Sequence, residues 1–185
     1  MLFNTLPFAF FFAVVFAFWT VFEDRPVHRF WLLVVASLFF YAGWDARYLV
    51  LLTSIAGANY LIGKQLEAAE APALRSRWML LAMVVNLGAL GVFKYTDFAL
   101  EVLKPVGLKL GVNPEAWPGP FHIVLPVGIS FFTFQGLGYV IDIHRKQKPA
   151  EKRFRDLFLA LAFFPHLVAG PIVRPYELIP KLHHP

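Results

Sequence analysis

One face of a predicted helix in the C-terminal third of the chain carries polar chemistry. Gly128, Gln135, Tyr139 and Asp142 fall within an arc of about 60°, at about 100° per helical residue. We call these four residues the polar arc. A face that met only lipid would not carry an amide, a phenol and a carboxyl group, so it must meet protein or a water-filled cavity. Two interpretations stay open: a helix–helix contact, or a cavity wall that contacts a polar substrate.

Three further polar residues lie close to this face in sequence. Ser130 and Thr133 are weaker candidates for the substrate path, because small hydroxyls often bond to the backbone of their own helix. Arg174 follows the next apolar run, where it either anchors the segment at the membrane interface or meets an anionic group. Anchoring is the favoured role.

The next apolar run, 157–173, contains residues that interrupt helices. Pro165, Gly170 and Pro171 all lie inside it, and proline removes a backbone donor and kinks a helix. Broken helices at membrane depth occur only against protein or a cavity. His166 lies beside the break. A structural hydrogen-bonding role for this imidazole is favoured over a catalytic one.

Several kinds of site are excluded by residue types that the sequence lacks. There is no Cys, which excludes disulfides, thiolate catalysis and cysteine-ligated metals. No pair of histidines has zinc-ligand spacing, so no metal site is predicted. No G-x-S-x-G motif and no phosphate-binding glycine loop occurs. The sequence therefore assigns a catalytic role to no residue.

The elements that position these residues are strongly apolar. Hydrophobic residues make up 58% of the 185 residues and charged residues only 16%, against about 25% in soluble domains. The charge-free runs are 6–22, 30–44, 48–63, 78–93, 122–141 and 157–173. We predict an all-α, polytopic transmembrane helix bundle of about five to six membrane segments, one of them broken or re-entrant.

The chain reads as one transmembrane domain, 1–185, in three parts. Residues 1–93 hold the first four helices, and 122–185 hold the helices with the polar arc and the break. In 94–121, Asp97, Glu101 and Lys104 share one helical face opposite apolar residues, which predicts an amphipathic helix in the interface plane. Pro114, Pro118 and Pro120 then end it.

Basic residues predict the orientation. Loops 23–29, 64–77 and 144–156 share one side if helices alternate, and they carry most of the loop lysines and arginines. The opposite side has only Arg47, Lys94, Lys104 and Lys109. The positive-inside rule places the richer side in the cytoplasm and the N-terminus outside. The net charge of +5 is explained in this way, without nucleic-acid binding.

Two motifs resemble those of the membrane-bound O-acyltransferase (MBOAT) family. They are LPVGISFFTFQGLGYVIDIHR (125–145) and FFPHLVAGPIVRPYELIPKL (163–182), whose order and spacing are specific. The branch resembled is the alginate O-acetyltransferase group, which includes peptidoglycan O-acetyltransferases. The opening MLFNTLPFAFFF and the stretch SLFFYAGWDARYLVLL (37–52) are also typical of it. His144–Arg145 departs from the Tyr–Arg expected there.

The resemblance implies an enzyme that moves an acyl group, here an acetyl group, from a cytoplasmic donor to hydroxyls of an extracytoplasmic polysaccharide such as alginate. The donor is acyl-CoA or an acyl carrier, with no bound cofactor. The implied setting is the bacterial inner membrane, with the lipid bilayer and extracytoplasmic polysaccharide-modifying proteins as partners. Family members are longer and carry their catalytic histidine in a later helix. We therefore expect an N-terminal fragment that is inactive alone, and His166 does not receive that role.

Two other functional classes remain open. Broken helices with buried polar groups also occur in transporters, where matching breaks in two halves of the protein would be expected. A non-catalytic membrane scaffold of a polysaccharide export system is the other alternative. An in-frame helix with a histidine downstream of codon 185 would favour the enzyme over both.

Overall fold

The computed structural model describes residues 5–111, 113, 117, 121, 123–167, 170 and 173–183. These residues form helices and connections, without a β-strand, so the all-α prediction is confirmed. The helices are α1 (Leu6–Val21), α2 (Pro26–Asp45), α3 (Tyr48–Ala68), α4 (Pro72–Leu90), α5 (Thr96–Lys109), α6 (Ile129–His144), α7 (Phe154–Ala162), α8 (Phe164–Leu167) and α9 (Pro175–His183). Proline opens α2, α4 and α9, where its fixed φ suits the first turn and its missing N–H costs no helical hydrogen bond.

Two helices of the described chain are long and apolar enough to cross a bilayer. One is α2, with 20 residues. The other is the continuous helix Pro72–Lys109, with 38 residues, in which a π-helical stretch, Gly91–Tyr95, joins α4 to α5. These two helices and the outward apolar side chains, such as Phe10 and Leu80, indicate a membrane protein. The count of about five to six membrane segments is not confirmed and stays a prediction.

The boundaries of two predicted segments differ in the structure. The run 122–141 becomes helical only at Ile129, because Pro126 and the left-handed Gly128 (φ 74°) precede the helix. The loop 64–77 shrinks to 69–71, since Lys64 lies in α3 while Arg75 and Arg77 lie in α4. Charged residues can extend a membrane helix past its apolar run, because their long side chains reach the interface.

The helices α3, α4 and α6 form the centre of the bundle, where they pack on a pair of buried amides. Asn59 Nδ2 donates to Asn86 Oδ1 at 3.0 Å, and Asn86 Nδ2 donates to Asn59 Oδ1 at 2.9 Å. Each amide also donates to the carbonyl four residues earlier in its own helix. Because both amides donate and accept here, the pair joins α3 to α4 without an unsatisfied polar atom.

Glycine lets α6 approach this amide pair. A Cβ atom at Gly136 would lie 2.6 Å from Asn59 Nδ2 and 3.1 Å from Asn86 Oδ1. Gly63 of α3 has the same role toward Tyr139 of α6, whose ring carbon and hydroxyl would lie 2.8 Å from an added Cβ. The three helices therefore cross closely because small residues face polar and aromatic ones.

A second layer surrounds this centre. Helices α1 and α2 pair beside it, and phenylalanines join them to α8: the rings of Phe11 and Phe164 lie 5.3 Å apart, edge to face. Helix α7 packs between α2, α3 and α9, and its residues Asp156–Ala162 are all buried. This layer holds the broken segment against the core.

We expect Gly136→Ala to destabilise the bundle by about 1–3 kcal/mol, because the new methyl group overpacks the amide pair. Gly138→Ala is the matched control in the same helix, since a Cβ there meets nothing within 4 Å. Thermal unfolding of the purified chain in mild detergent, followed by circular dichroism, measures the difference. Equal melting temperatures for the two variants would show that the close crossing is unimportant.

Candidate functional site

The three side chains of the polar arc all contact the chain that follows α6. Gln135 Nε2 donates to the Val173 carbonyl at 3.2 Å. The Tyr139 hydroxyl accepts from the Glu151 amide at 3.0 Å. Asp142 Oδ1 accepts from Arg174 Nη1 at 3.0 Å. All three arc residues are buried, with exposures of 4%, 0% and 4%. The arc therefore attaches Glu151, Val173 and Arg174 to one side of α6.

The start of α9 strengthens this attachment. The ring of Tyr176 stacks on Tyr139 with centroids 5.6 Å apart, and its hydroxyl donates to the Pro149 carbonyl. Burial, and then the nearby Tyr139, raise the pKa of the Tyr176 phenol above its usual range. The phenol is therefore neutral and can donate this hydrogen bond at any physiological pH.

These contacts join α6 to connecting segments of the chain, and they do not decide between the two interpretations of the arc. Each polar group meets a backbone or side-chain partner in the described chain, and Gly128 lets the Leu167 carbonyl approach to 2.5 Å of an added Cβ position. The cavity-wall interpretation stays a prediction. Thr133 Oγ1 donates to the Ile129 carbonyl of its own helix at 2.6 Å, and Ser130 is half-buried in the first turn of α6.

The broken segment lies at the other end of α6. Helix α7 ends at Ala162, Phe163 leaves the helical conformation, and Pro165 lies in the short helix α8. The Phe164 amide donates to Ser37 Oγ of α2 at 3.3 Å, so a buried side chain binds a backbone group at the break. Pro171 lies outside the described residues.

His166 lies in α8, and no hydrogen bond joins it to the polar arc in the described chain. Its ring packs edge-on against Phe163 at 5.2 Å, and its buried Nδ1 has no hydrogen-bond partner among the described residues. A Cβ at Gly170 would lie 3.5 Å from the His166 ring. The structure therefore places His166 and Gly170 together, apart from the arc's bonding network.

Arg75 lies in the predicted loop 64–77, but in the structure it is a buried residue of α4. Its guanidinium is buried, with 8% exposure, in the first turns of α4. Nη1 donates to the carbonyls of Leu66 (2.6 Å) and Ala69 (3.3 Å), at the C-terminal end of α3. Nη2 donates to the carbonyls of Ile143 and His144, both at 2.9 Å, at the end of α6. A cation is stabilised there by two helix dipoles and by the carbonyl groups at the two helix ends.

The end of the bundle that carries Arg75 also carries the polar arc's ion pair and the basic loop after α6. Glu67 Oε1 accepts from the Ala150 amide at 3.1 Å, which ties this loop to α3. A polar cavity of about 270 Å³ lies here, lined by Glu67, Arg75, Ile143, Lys146, Gln147, Lys148 and Pro149. Among the described residues, no group of three or more His, Asp or Glu could hold a metal ion.

We expect Arg75→Met to destabilise the bundle by at least about 3 kcal/mol, because four carbonyls at two helix ends lose a charged donor. Arg77→Met, an exposed position in the same turn, is the control. Thermal unfolding in detergent tests both variants. A melting temperature unchanged by Arg75→Met would show that water satisfies these carbonyls equally well.

Comparison with curated proteins finds relatives that cover most of the chain. It is 38% identical over 154 residues to the probable alginate O-acetylase AlgI of Pseudomonas aeruginosa, across 83% of this chain and 29% of that protein. The same named protein of Azotobacter vinelandii is 38% identical over 154 residues, across 83% and 30%. A peptidoglycan O-acetyltransferase of Helicobacter pylori is 32% identical over 176 residues, across 80% and 32%.

These matches cover only part of each relative. The chain spans 29 to 32% of the length of these three relatives. No family model matches the chain. No solved structure matches it either.

Proposed function

This chain belongs to the MBOAT-like O-acetyltransferases, and from that premise we propose that it forms part of an enzyme that acetylates an extracytoplasmic polysaccharide. The acceptor class is alginate or another cell-envelope glycan, as the names of the relatives suggest. The observation that carries this proposal is 38% identity across 83% of the chain to a probable alginate O-acetylase.

The proposed reaction is acyl transfer from a cytoplasmic thioester, on CoA or an acyl carrier, to a glycan hydroxyl. A general base takes the hydroxyl proton, the oxygen attacks the acyl carbonyl, a C–O bond forms, and the C–S bond breaks as the thiolate leaves. We assign the base to the family's catalytic histidine, in a part of the protein that does not correspond to residues 1–185. No residue of this chain, His166 included, is assigned that step.

The proposed contribution of this chain is to position the transfer path. The arc residues Gln135, Tyr139 and Asp142 hold Glu151, Val173 and Arg174 against α6, the last through an ion pair. His166, at the break, would face the same path further along α6. Support comes from the burial of Gln135, Tyr139 and Asp142, because buried polar side chains that have their partners in place fix a local geometry.

The proposed setting is the bacterial inner membrane, with several crossings, the N-terminus outside and a polysaccharide-modifying protein as partner on that side. The apolar helix surfaces and the distribution of basic residues support it. No contact in the described part of the chain favours the scaffold or the transporter alternative.

Acetylation by a chimera tests the proposed function. This chain would replace the matching part of the Pseudomonas aeruginosa relative, and O-acetyl ester on secreted alginate would be measured by NMR. We expect acetylated alginate from the chimera and none from the 185-residue chain alone. In the chimera, Asp142→Asn should lower activity per folded molecule by about tenfold or more, through lost positioning worth about 1.4 kcal/mol. Gln135→Leu should lower it less.

Phe134→Leu is the control on the outward face of α6, where Phe134 is 43% exposed, and it should leave activity unchanged. Normalising to folded protein separates positioning from stability. Wild-type activity per folded molecule in both arc variants would show that the arc only joins helices. Transfer by the chain alone, lost on His166→Ala, would move the catalytic centre into this chain.

Reporter fusions test the orientation. Alkaline phosphatase fused after Ala71 or Pro149 should be inactive, because both positions lie on the side richer in basic residues and therefore in the cytoplasm. A fusion after Gly111, past the end of α5, should be active. Alkaline phosphatase activity at Pro149 would reverse the orientation and exclude a cytoplasmic donor at that end.

A further inference from the structure

An apolar cleft separates α1 from the C-terminal helices. Its volume is about 320 Å³, and it opens along the outer side of the bundle. From Phe12 to Trp19 it follows α1 for about 10 Å, at 1.5 Å per residue. The lining is apolar except for one cation; its residues are Phe12, Val15, Phe16, Trp19, Leu33, Phe163, Phe164, Pro165, Leu178, Lys181 and Leu182.

Two cations lie at this cleft. Lys181 of α9 lines it, and its side chain is exposed. The Arg29 guanidinium of α2 lies 4.5 Å above the ring of Trp19, which also lines the cleft. Arg29 Nε also donates to the Trp19 carbonyl at 3.1 Å, which fixes this cation at the end of α1.

We propose that this cleft binds one acyl chain of an anionic phospholipid, with the headgroup phosphate at Lys181, the cation in its lining. An apolar cavity of this size gives water no hydrogen-bond partners, whereas an acyl chain fills it at no polar cost. Each cation near a membrane surface contributes about 1 kcal/mol toward an anionic lipid. Charge complementarity therefore selects the lipid's headgroup, and the aromatic walls hold its chain.

A second apolar groove on the same bundle has no cation in its lining and serves as a comparison for the cleft. It has a volume of about 420 Å³ and lies between α1 and α2. Its lining residues are Phe18, Phe22, Val27, His28, Trp31, Leu32 and Val35, with no Lys or Arg among them. This groove would take acyl chains without regard to headgroup, so it serves as an internal reference.

The bound lipid would touch the break in the C-terminal helices. Phe163, Phe164 and Pro165 form one wall of the cleft, and Phe164 is also the residue whose amide reaches Ser37. Filling the cleft would therefore stabilise the α7–α8 junction against α1. This inference does not depend on acyl transfer, and it can hold whether or not the proposed reaction does.

Native mass spectrometry of the full 185-residue chain tests the headgroup preference. The chain in mild detergent would be titrated with dioleoyl phosphatidylglycerol or dioleoyl phosphatidylcholine. We expect one retained phosphatidylglycerol and a preference over phosphatidylcholine of at least about fivefold, the ratio that one cation supplies. Lys181→Gln should abolish most of that preference, and Lys181→Arg should keep it.

Lys152→Gln, on the exposed basic loop after α6, is the charge-matched control and should keep the preference. Lys181 is exposed, so its variants should melt at the wild-type temperature. Equal binding of the two lipids would overturn the proposal. So would a preference that survives Lys181→Gln, or a second copy of the chain retained in place of lipid.

Brominated acyl chains test the location. Phosphatidylglycerol brominated on its acyl chains should quench tryptophan fluorescence, and Trp19→Phe should remove more of that quenching than Trp31→Phe, which lies in the reference groove. Greater loss with Trp31→Phe would place the lipid in the other groove and exclude the cleft.

Discussion

The bundle depends on a single buried cation whose partners are all backbone carbonyls. Arg75 joins the C-terminal ends of α3 and α6 from the first turns of α4. Within the described residues it forms no salt bridge, so two helix dipoles and four lone pairs replace a carboxylate. A carboxylate partner could be protonated or could find another cation, whereas carbonyls at a helix end stay in place while the helix exists. The three helices consequently end at a common level.

The packing of α3, α4 and α6 at the centre of the bundle follows from the position of these helix ends. With the ends of α3, α4 and α6 fixed, Asn59 meets Asn86 about midway along the helices, and Gly136 can pass over them. The polar arc then lies on the side of α6 that faces the returning chain. The polar groups of Arg75, the amide pair and the polar arc all have hydrogen-bond partners. These bonds give the helices one register, where apolar packing alone would allow several.

Part of this arrangement could be predicted from the sequence. Composition and charge-free runs predicted the all-α class, and the spacing of Gln135, Tyr139 and Asp142 identified a face that must meet protein or a water-filled cavity. The partners of that face could not be predicted, because Val173, Glu151 and Arg174 meet it only after the chain turns back. Arg75 was missed since its sequence neighbours are exposed and its partners are carbonyls, which leave no trace in residue identity. The pairing of Asn59 with Asn86 could not be predicted either, because the two amides lie on different helices.

The uninterrupted helix from Pro72 to Lys109 has a mechanical consequence. At 1.5 Å per residue its 38 residues extend about 57 Å, nearly twice the roughly 30 Å of a hydrocarbon core. Hydrogen bonds of Arg75 hold one end of this helix in the bundle, and those of Asn86 hold its middle. Helix α5, at the far end, has no buried residue. Such a rod acts as a lever whose short arm lies in the bundle. A force on α5, as from a bound macromolecule, would reach the amide pair through the π-helical stretch. The helix can bend at that stretch and at Pro105, and bending there would reduce the force transmitted.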